Sequence, residues 1–469
     1  MSQRNGVVGY LPDQKPSVGK TIVFAIQQFL VMLPATVLAA ILMKFNIPTA
    51  IFASGVATLV FLLITKGKIP LYYGSSFSYI PAVAIVGSSF MGQAAFNDAV
   101  LIDKTLMGPI QIAIMLSGLV SILAGFIVNK FGQEKVDRVL PPTVTGPIAA
   151  IIGFSLAGSA MGGVFNVNET TGMLDWLPIV VGLTTLLSII LLTVLLKKGF
   201  KSQIPILIGM LIGLAVHIIL TLITGGNPFE LTTEGQEGGF KLLTWTVFST
   251  FPNMNTAAIP AALLAIVPVA LVTIPESTAH VYQLDLYVNN LAKELGSEKE
   301  YEIKELLGEN LKGDGVGDIV ATFLGGPAGT NYGENISASA ITRNFSSYVF
   351  GVAAILAILI SFTPLSTFTD FIPGAVINGA SIYLFGVIAT QGIAIMVDKK
   401  VDLFNAKNLA VIATVFVIGI GGHYALPSGG FPLYKVDGNV IYFPALAVAS
   451  IVGILLNALL NYLERRVNK

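Results

Sequence analysis

Apolar runs of about 20 residues, the length of helix that crosses the hydrocarbon core of a bilayer, recur along this chain from residue 20 to residue 462. Turn or charge clusters separate them. Backbone in lipid has to satisfy its own N–H and C=O groups, so repeated runs of this length point to an all-α polytopic membrane protein. Charged residues make up 11% of the chain, well under the roughly 25% of soluble domains, which agrees. Spans are predicted near 20–42, 47–65, 72–90, 109–128, 140–163, 177–196, 203–224, 259–283, 314–325, 332–343, 345–364, 372–394, 408–422 and 441–462. The segments at 314–325 and 332–343 are too short to cross alone.

Threading the chain through these spans puts both termini on one side, and the basic residues choose which. Arg4, Lys15, Lys20, Lys66, Lys68, Lys130, Lys135, Arg138, Lys197, Lys198, Lys201, Arg343, Lys399, Lys400, Lys407, Arg465, Arg466 and Lys469 fall on that side together with the 293–312 loop, whereas only Lys44, Lys104, Lys241 and Lys435 fall on the other. The positive-inside rule makes the first side cytoplasmic and the protein a multi-pass component of the cell membrane. A polar N-terminus up to Ser17 and a long first run do not read as a cleavable signal. The charged 284–313 stretch reads as a solvated cytoplasmic connector.

Two segments break the apolar pattern in the same way. Tyr73-Gly74-Ser75-Ser76-Phe77-Ser78 in the third and Tyr332-Gly333-Glu334-Asn335-Ile336-Ser337 in the tenth agree at three of six positions, and they hold the same place in two halves of seven spans each. An odd number of spans per half inverts the second half relative to the first. Paired, interrupted segments in corresponding positions of an inverted repeat are the sequence pointer to a transporter site near the midplane. A short extended stretch leading into a half-helix leaves backbone N–H groups without intrahelical partners, and these can hold a polar ligand inside a protein-lined cavity. The alternative, that these glycines only allow tight helix packing, does not account for the polar residues beside them.

Ionisable side chains at membrane depth are expensive and mark functional sites. Glu334 in the tenth segment and Glu276 in the eighth are the two that stand out. Glu276 follows Pro275, which predicts a kink beside the carboxylate. Glu276 and His280 are spaced i, i+4, so they share a helix face, and a carboxylate and an imidazole one turn apart make a candidate proton relay or else a mutually satisfied structural pair. His217 and His423 read as structural.

Tyr332-Gly333-Glu334-Asn335 with Ala340-Ile341-Thr342-Arg343, Gly74-Ser75-Ser76-Phe77, Lys66-Gly67-Lys68-Ile69-Pro70 and Glu276-x-x-x-His280 occur in matching order along almost the whole chain. Together they resemble the bacterial uracil permeases of the nucleobase–ascorbate transporter (nucleobase:cation symporter-2) family. The resemblance implies a fold of 14 transmembrane segments as a 7+7 inverted repeat, with short antiparallel strands in segments three and ten. It implies a cytoplasmic N-terminus at 1–19, a core domain from 20–130 and 259–366, a gate domain from 131–258 and 367–463, and a cytoplasmic C-terminus at 464–469. Position by position, it makes Glu276 and Glu334 the substrate-binding carboxylates, Phe77 and Gly333 backbone donors to the base, and Ala35 and Tyr332 pocket walls. Glu276, His280 and Glu334 become the proton-coupling groups. A homodimer in membrane lipid that moves uracil with protons, without a cofactor, is what similar proteins imply. The chain departs from the family pattern at Gln28, Ser277, Ala279 and Asn331, where a His, a His, a Gly and a Thr are usual. Those changes leave both carboxylates in place, but they keep a purine of the xanthine type open as substrate.

Other classes fit less well. The absence of cysteine excludes disulfides, thiolate metal sites and cysteine nucleophiles, and a formal charge of zero gives no handle for nucleic acid. An anion carrier of the same fold would have to bring its substrate past two carboxylates. A channel would need a continuous polar path, and an enzyme would need a hydrolytic dyad or metal pair that is not apparent.

Overall fold

The computed structural model describes residues 9–132, 140–167, 172–196, 204–228, 244–363, 372–436 and 438–467. Arg4, Lys135, Arg138, Lys197, Lys198, Lys201, Lys241 and Lys469, used above to orient the chain, lie outside them.

Among the described residues, ten helices are long and apolar enough to cross a membrane. The main elements are α1 (Val18–Met43), α2 (Ile47–Ile64), β1 (Tyr73–Ser75), α3 (Ile80–Met91), α4 (Lys104–Phe131), α5 (Pro142–Val164), α6 (Trp176–Leu195) and α7 (Pro205–Ile223). They continue as α8 (Ile259–Ile266), α9 (Ala270–Glu294), α10 (Leu307–Phe323), β2 (Gly329–Asn331), α11 (Gly333–Thr342), α12 (Ser347–Ser361), α13 (Gly374–Asp398), α14 (Ala406–Phe416), β3 (Gly430–Val436), β4 (Asn439–Pro444) and α15 (Ala445–Val467). The chain is a multi-pass membrane protein.

Local chemistry explains several boundaries. Asn46, Asp103, Asp175 and Asn405 cap α2, α4, α6 and α14 by accepting from backbone N–H groups of the first turn, which have no intrahelical partner. Lys44 ends α1 in the left-handed conformation, φ 61°, and its N–H returns to Ala40 and Ile41.

Helices α2, α4, α10 and α12 pack together, with α1 against α12; α5 packs along α13, and α6 packs on α7 and α13. Helices α4 and α10 meet at facing glycines. A Cβ on Gly118 would lie 2.6 Å from the carbonyl oxygen of Gly315, and one on Gly315 would lie 2.2 Å from that of Gly118, so neither position has room for a side chain.

The eighth segment passes through a 3-10 stretch at Val267–Val269, with Pro268 in its first turn, before it reaches Pro275 inside α9. Two sequence expectations shift. The 284–313 stretch is not all connector, because α9 runs to Glu294 and α10 starts at Leu307. The last segment begins in a hairpin: β3 pairs antiparallel with β4 from Gly430↔Pro444 to Val436↔Asn439, and α15 starts only at Ala445. The strand β4 packs on α3 and α8.

Candidate functional site: a strand crossing between two half-helices

Strands β1 and β2 pair antiparallel, with Tyr73 opposite Asn331, Gly74 opposite Thr330 and Ser75 opposite Gly329. The ladder is extended by Ser76 N–H to Ala328 O (2.9 Å) and Tyr332 N–H to Tyr72 O (3.0 Å). Each strand leads into a helix that starts at the crossing, through a 3-10 turn at Phe77–Tyr79 into α3 on one side and into α11 at Gly333 on the other. Helix starts leave N–H groups unpaired and carry the positive end of the helix dipole. The crossing therefore gathers two sets of donors at one depth.

Two tyrosines lock this geometry from opposite sides. The Tyr332 ring occupies the space a side chain at position 74 would need, 2.4 Å from a Cβ built on Gly74, and the Tyr73 ring does the same at Gly329, at 2.2 Å. Any larger residue at either glycine would push a ring out. The Tyr332 hydroxyl donates to Ser75 O (3.0 Å) and shares a 3.0 Å hydrogen bond with Thr36, the neighbour of the buried Ala35 on α1.

Glu276, on α9, accepts from the hydroxyl of Ser78 at 3.1 Å. It is also close enough to Glu334 for the two charges to interact. Glu334 sits in the first turn of α11, where the helix dipole favours a carboxylate. The imidazole of His280 lies against the start of the same helix: a Cβ on Gly333 would be 2.9 Å from its Nε2. Its Nδ1 is buried with no hydrogen-bond partner among the described residues. Phe77 meets Phe385 of α13 edge to face, with ring centroids 6.2 Å apart. Beyond Ser78, a gap of about 20 Å³ separates α3 and α8 from Pro444, Ala447 and Ser450; it holds nothing larger than a water. Glu276, Glu334, Gly333, Tyr332, Phe77, Ala35 and His280 thus all lie at or beside the crossing.

Sequence reasoning missed the scaffold behind these residues. Gln28 on α1 donates to Ser339 (2.9 Å), and its carbonyl and side-chain oxygens accept from Asn335 Nδ2 (2.9 and 2.7 Å), so α1 grips α11 directly. Asp314 and Asp318 on α10 are both buried. Asp314 accepts from Ser277, the neighbour of Glu276, and from Asn310. Asn310 in turn accepts from Asn331 of β2 at 2.9 Å. The available signal was three polar residues at i, i+4, i+8 in a segment flanked by membrane helices.

The family model described as the Permease family matches residues 19–427. The relatives that this chain matches are permeases, which makes its class that of membrane transporters rather than enzymes. The chain belongs to this permease family. It is 33% identical over 452 residues to a uracil permease of Bacillus caldolyticus, covering 96% of this chain and 94% of that one. A uracil permease of Bacillus subtilis is also 33% identical over 452 residues, with 95% and 93% covered. A putative pyrimidine permease, RutG, of Escherichia coli is 32% identical over 462 residues, with 98% and 93% covered. Among solved structures, the transmembrane domain of the cyanobacterial bicarbonate transporter BicA superposes with a TM-score of 0.57 at 12% identity, covering 96% of this chain and 99% of that one. The murine anion transporter Slc26a9 superposes with a TM-score of 0.64 at 11% identity, covering 96% and 69%. The chain therefore shares an anion-transporter-like fold.

Proposed function

We propose that the protein is a secondary active transporter that takes up a nucleobase, with uracil favoured, together with protons and by alternating access. The observation that carries this reading is the meeting of helix-start donors at Phe77 and Gly333 with the carboxylates Glu276 and Glu334 around one strand crossing. Uracil is neutral and offers two N–H donors and two carbonyl acceptors. Carboxylates match the former and backbone N–H groups the latter. The names of the relatives support a pyrimidine base.

In this reading the fold is a 7+7 inverted repeat of 14 segments whose two broken segments supply β1 and β2. The core domain (20–130 and 259–366) carries the site and moves against the gate domain (131–258 and 367–463), with Phe77 and Phe385 at their boundary. Both termini are cytoplasmic, the membrane is the cell membrane, and the working unit is a homodimer. A neutral base is concentrated only by coupling to an ion. Glu276, His280 and Glu334 are titratable groups suited to protons. Neutralising a carboxylate before the core moves lowers the cost of carrying its charge past an apolar constriction.

A purine is the second reading, left open by the departures from the family pattern at Ser277 and Asn331, whose side chains bond to Asp314 and Asn310 behind the site. An anion substrate fits the fold but meets two acidic side chains. Equilibrium binding of labelled uracil to purified protein, competed by thymine, xanthine, hypoxanthine and bicarbonate, separates the three. Uracil is expected to compete best, and displacement by xanthine or bicarbonate alone would overturn the assignment.

A further inference from the structure

The paired segment β1–β2 is three residues on each side, too short to hold its own shape, since even a full hairpin is marginal without packing. Its position has to be imposed from outside. On one flank the Tyr332 hydroxyl is held by neutral groups, Ser75 O and Thr36. On the other flank a single carboxyl group does the work. One oxygen of Asp318, on α10, accepts from the hydroxyl of Tyr73 at 2.7 Å and from the N–H of Gly329 at 2.7 Å. These are the first residues of β1 and of β2, so a single buried carboxylate holds both strands at their entry points.

The surroundings leave Tyr73 no other place. Its ring lies against Gly317 and Gly329, 2.7 and 2.2 Å from a Cβ built at either position, and stacks on Phe61 with centroids 6.0 Å apart and planes 16° apart. Its hydroxyl also reaches Asp314 O at 2.8 Å, and its backbone N–H and C=O are both bonded to the hydroxyl of Thr58 at 3.0 Å. Asp318 itself is 2% exposed. Two 2.7 Å hydrogen bonds, one from each strand, converge on this one oxygen, so it ties β1 and β2 to α10 together.

We propose that Asp318 is a positioning residue for transport. It fixes β1 and β2 to α10, and so sets the spacing between the donors at Phe77 and Gly333 and, through Ser78, the seat of Glu276. Its transport readout rests on the nucleobase reading above; its structural readout does not.

The test uses the full-length protein with Asp318→Asn, which keeps volume and an acceptor oxygen, with Tyr73→Phe, which removes the donor but leaves Gly329 untouched, and with the double variant. Uptake of labelled uracil should show apparent KM raised roughly five- to tenfold in each single variant, the value of one hydrogen bond weakened or lost. The maximal rate per transporter should stay within about twofold. The double variant should be no worse than the poorer single one, because both changes break the same contact. Hydrogen–deuterium exchange, read without substrate, should quicken in peptides covering 73–76 and 328–333 and stay unchanged in α4 and α13. Unchanged exchange in both strands of Asp318→Asn would overturn the proposal, as would a lowered maximal rate at constant KM. A wild type that binds no nucleobase would sink the substrate reading alone, and the exchange measurement would still decide the role of Asp318.

Discussion

The hydroxyl of Ser78 stands 3.1 Å from a carboxylate oxygen of Glu276, although the two residues are 198 positions apart. Ser78 belongs to the turn that follows β1, whereas Glu276 belongs to α9. The bond thus links the broken segment of the first half directly to the acidic helix of the second. Ser78→Ala removes the donor and leaves the carboxylate free to turn away. Affinity for uracil should fall about tenfold, the value of a hydrogen bond to a charged group, without change in the amount of folded protein. Isothermal titration with purified protein measures it, and unchanged affinity would show that Ser78 does not orient Glu276.

Glu276→Gln should nearly abolish uracil binding, because an amide presents a donor where the base also presents one. The expected loss is about 2–3 kcal/mol, the range for leaving a buried polar group unpaired. Glu334→Gln should weaken uracil and shift the competition series towards purines, which scintillation proximity assays with labelled bases will resolve. Wild-type affinity and selectivity in either variant would take that residue out of the site.

His280→Ala should blunt the dependence of uptake on a proton gradient more than it weakens binding, since its imidazole abuts Gly333 rather than bonding to Glu276. In proteoliposomes an inside-negative potential should drive uracil in, external alkalinisation should slow it, and substrate should acidify the lumen. Uptake that requires Na⁺ and ignores pH at fixed potential would rule out the proton mechanism.

Away from the membrane, Asp13 accepts from Lys299 (2.5 Å) and Tyr301 (2.7 Å). Partial burial works to raise its pKa, but these hydrogen bonds outweigh burial and hold the carboxyl below its ordinary value. A depressed carboxyl contributes stability above its unfolded value of 3.8 and loses it as pH falls through the folded one. Asp13→Asn should therefore lower the melting temperature slightly at pH 7, by roughly 1–2 °C for so exposed a pair, with the gap closing below pH ~4. A difference that persists undiminished in acid would mean that Asp13 acts through packing instead.

Hydropathy made the long spans legible because lipid leaves helices little alternative. Polar residues in membrane segments were harder, since their partners lie far away in sequence. Asn310 and Lys312 make the start of α10 read as connector, yet Asn310 is buried against Asn331, and Lys312 pairs with Glu309 at 3.7 Å while lying over Phe126. The run from Ile441 to Pro444 reads as the start of a helix because strand and helix share apolar residues over so short a stretch. Glu276 and Glu334 were visible for the opposite reason: each is a lone carboxylate in an otherwise apolar or glycine-rich context. Asp318 was hidden among other polar residues of its own helix.

The grip of Gln28 on Asn335 spans 307 positions, and Tyr10 bridges to Asn344 close by. A ribosome delivers these partners far apart in time. Until the chain has been made past residue 344, Gln28, Thr36 and the first broken segment have entered the bilayer region without the groups that will satisfy them. Pairing of such high sequence separation comes late and slowly. The nascent first half must therefore be sheltered, by water in a vestibule or by the insertion machinery, and cannot mature as an independent unit. Expressed alone, it should be held back or degraded, while two halves made as separate chains in one cell should rescue each other.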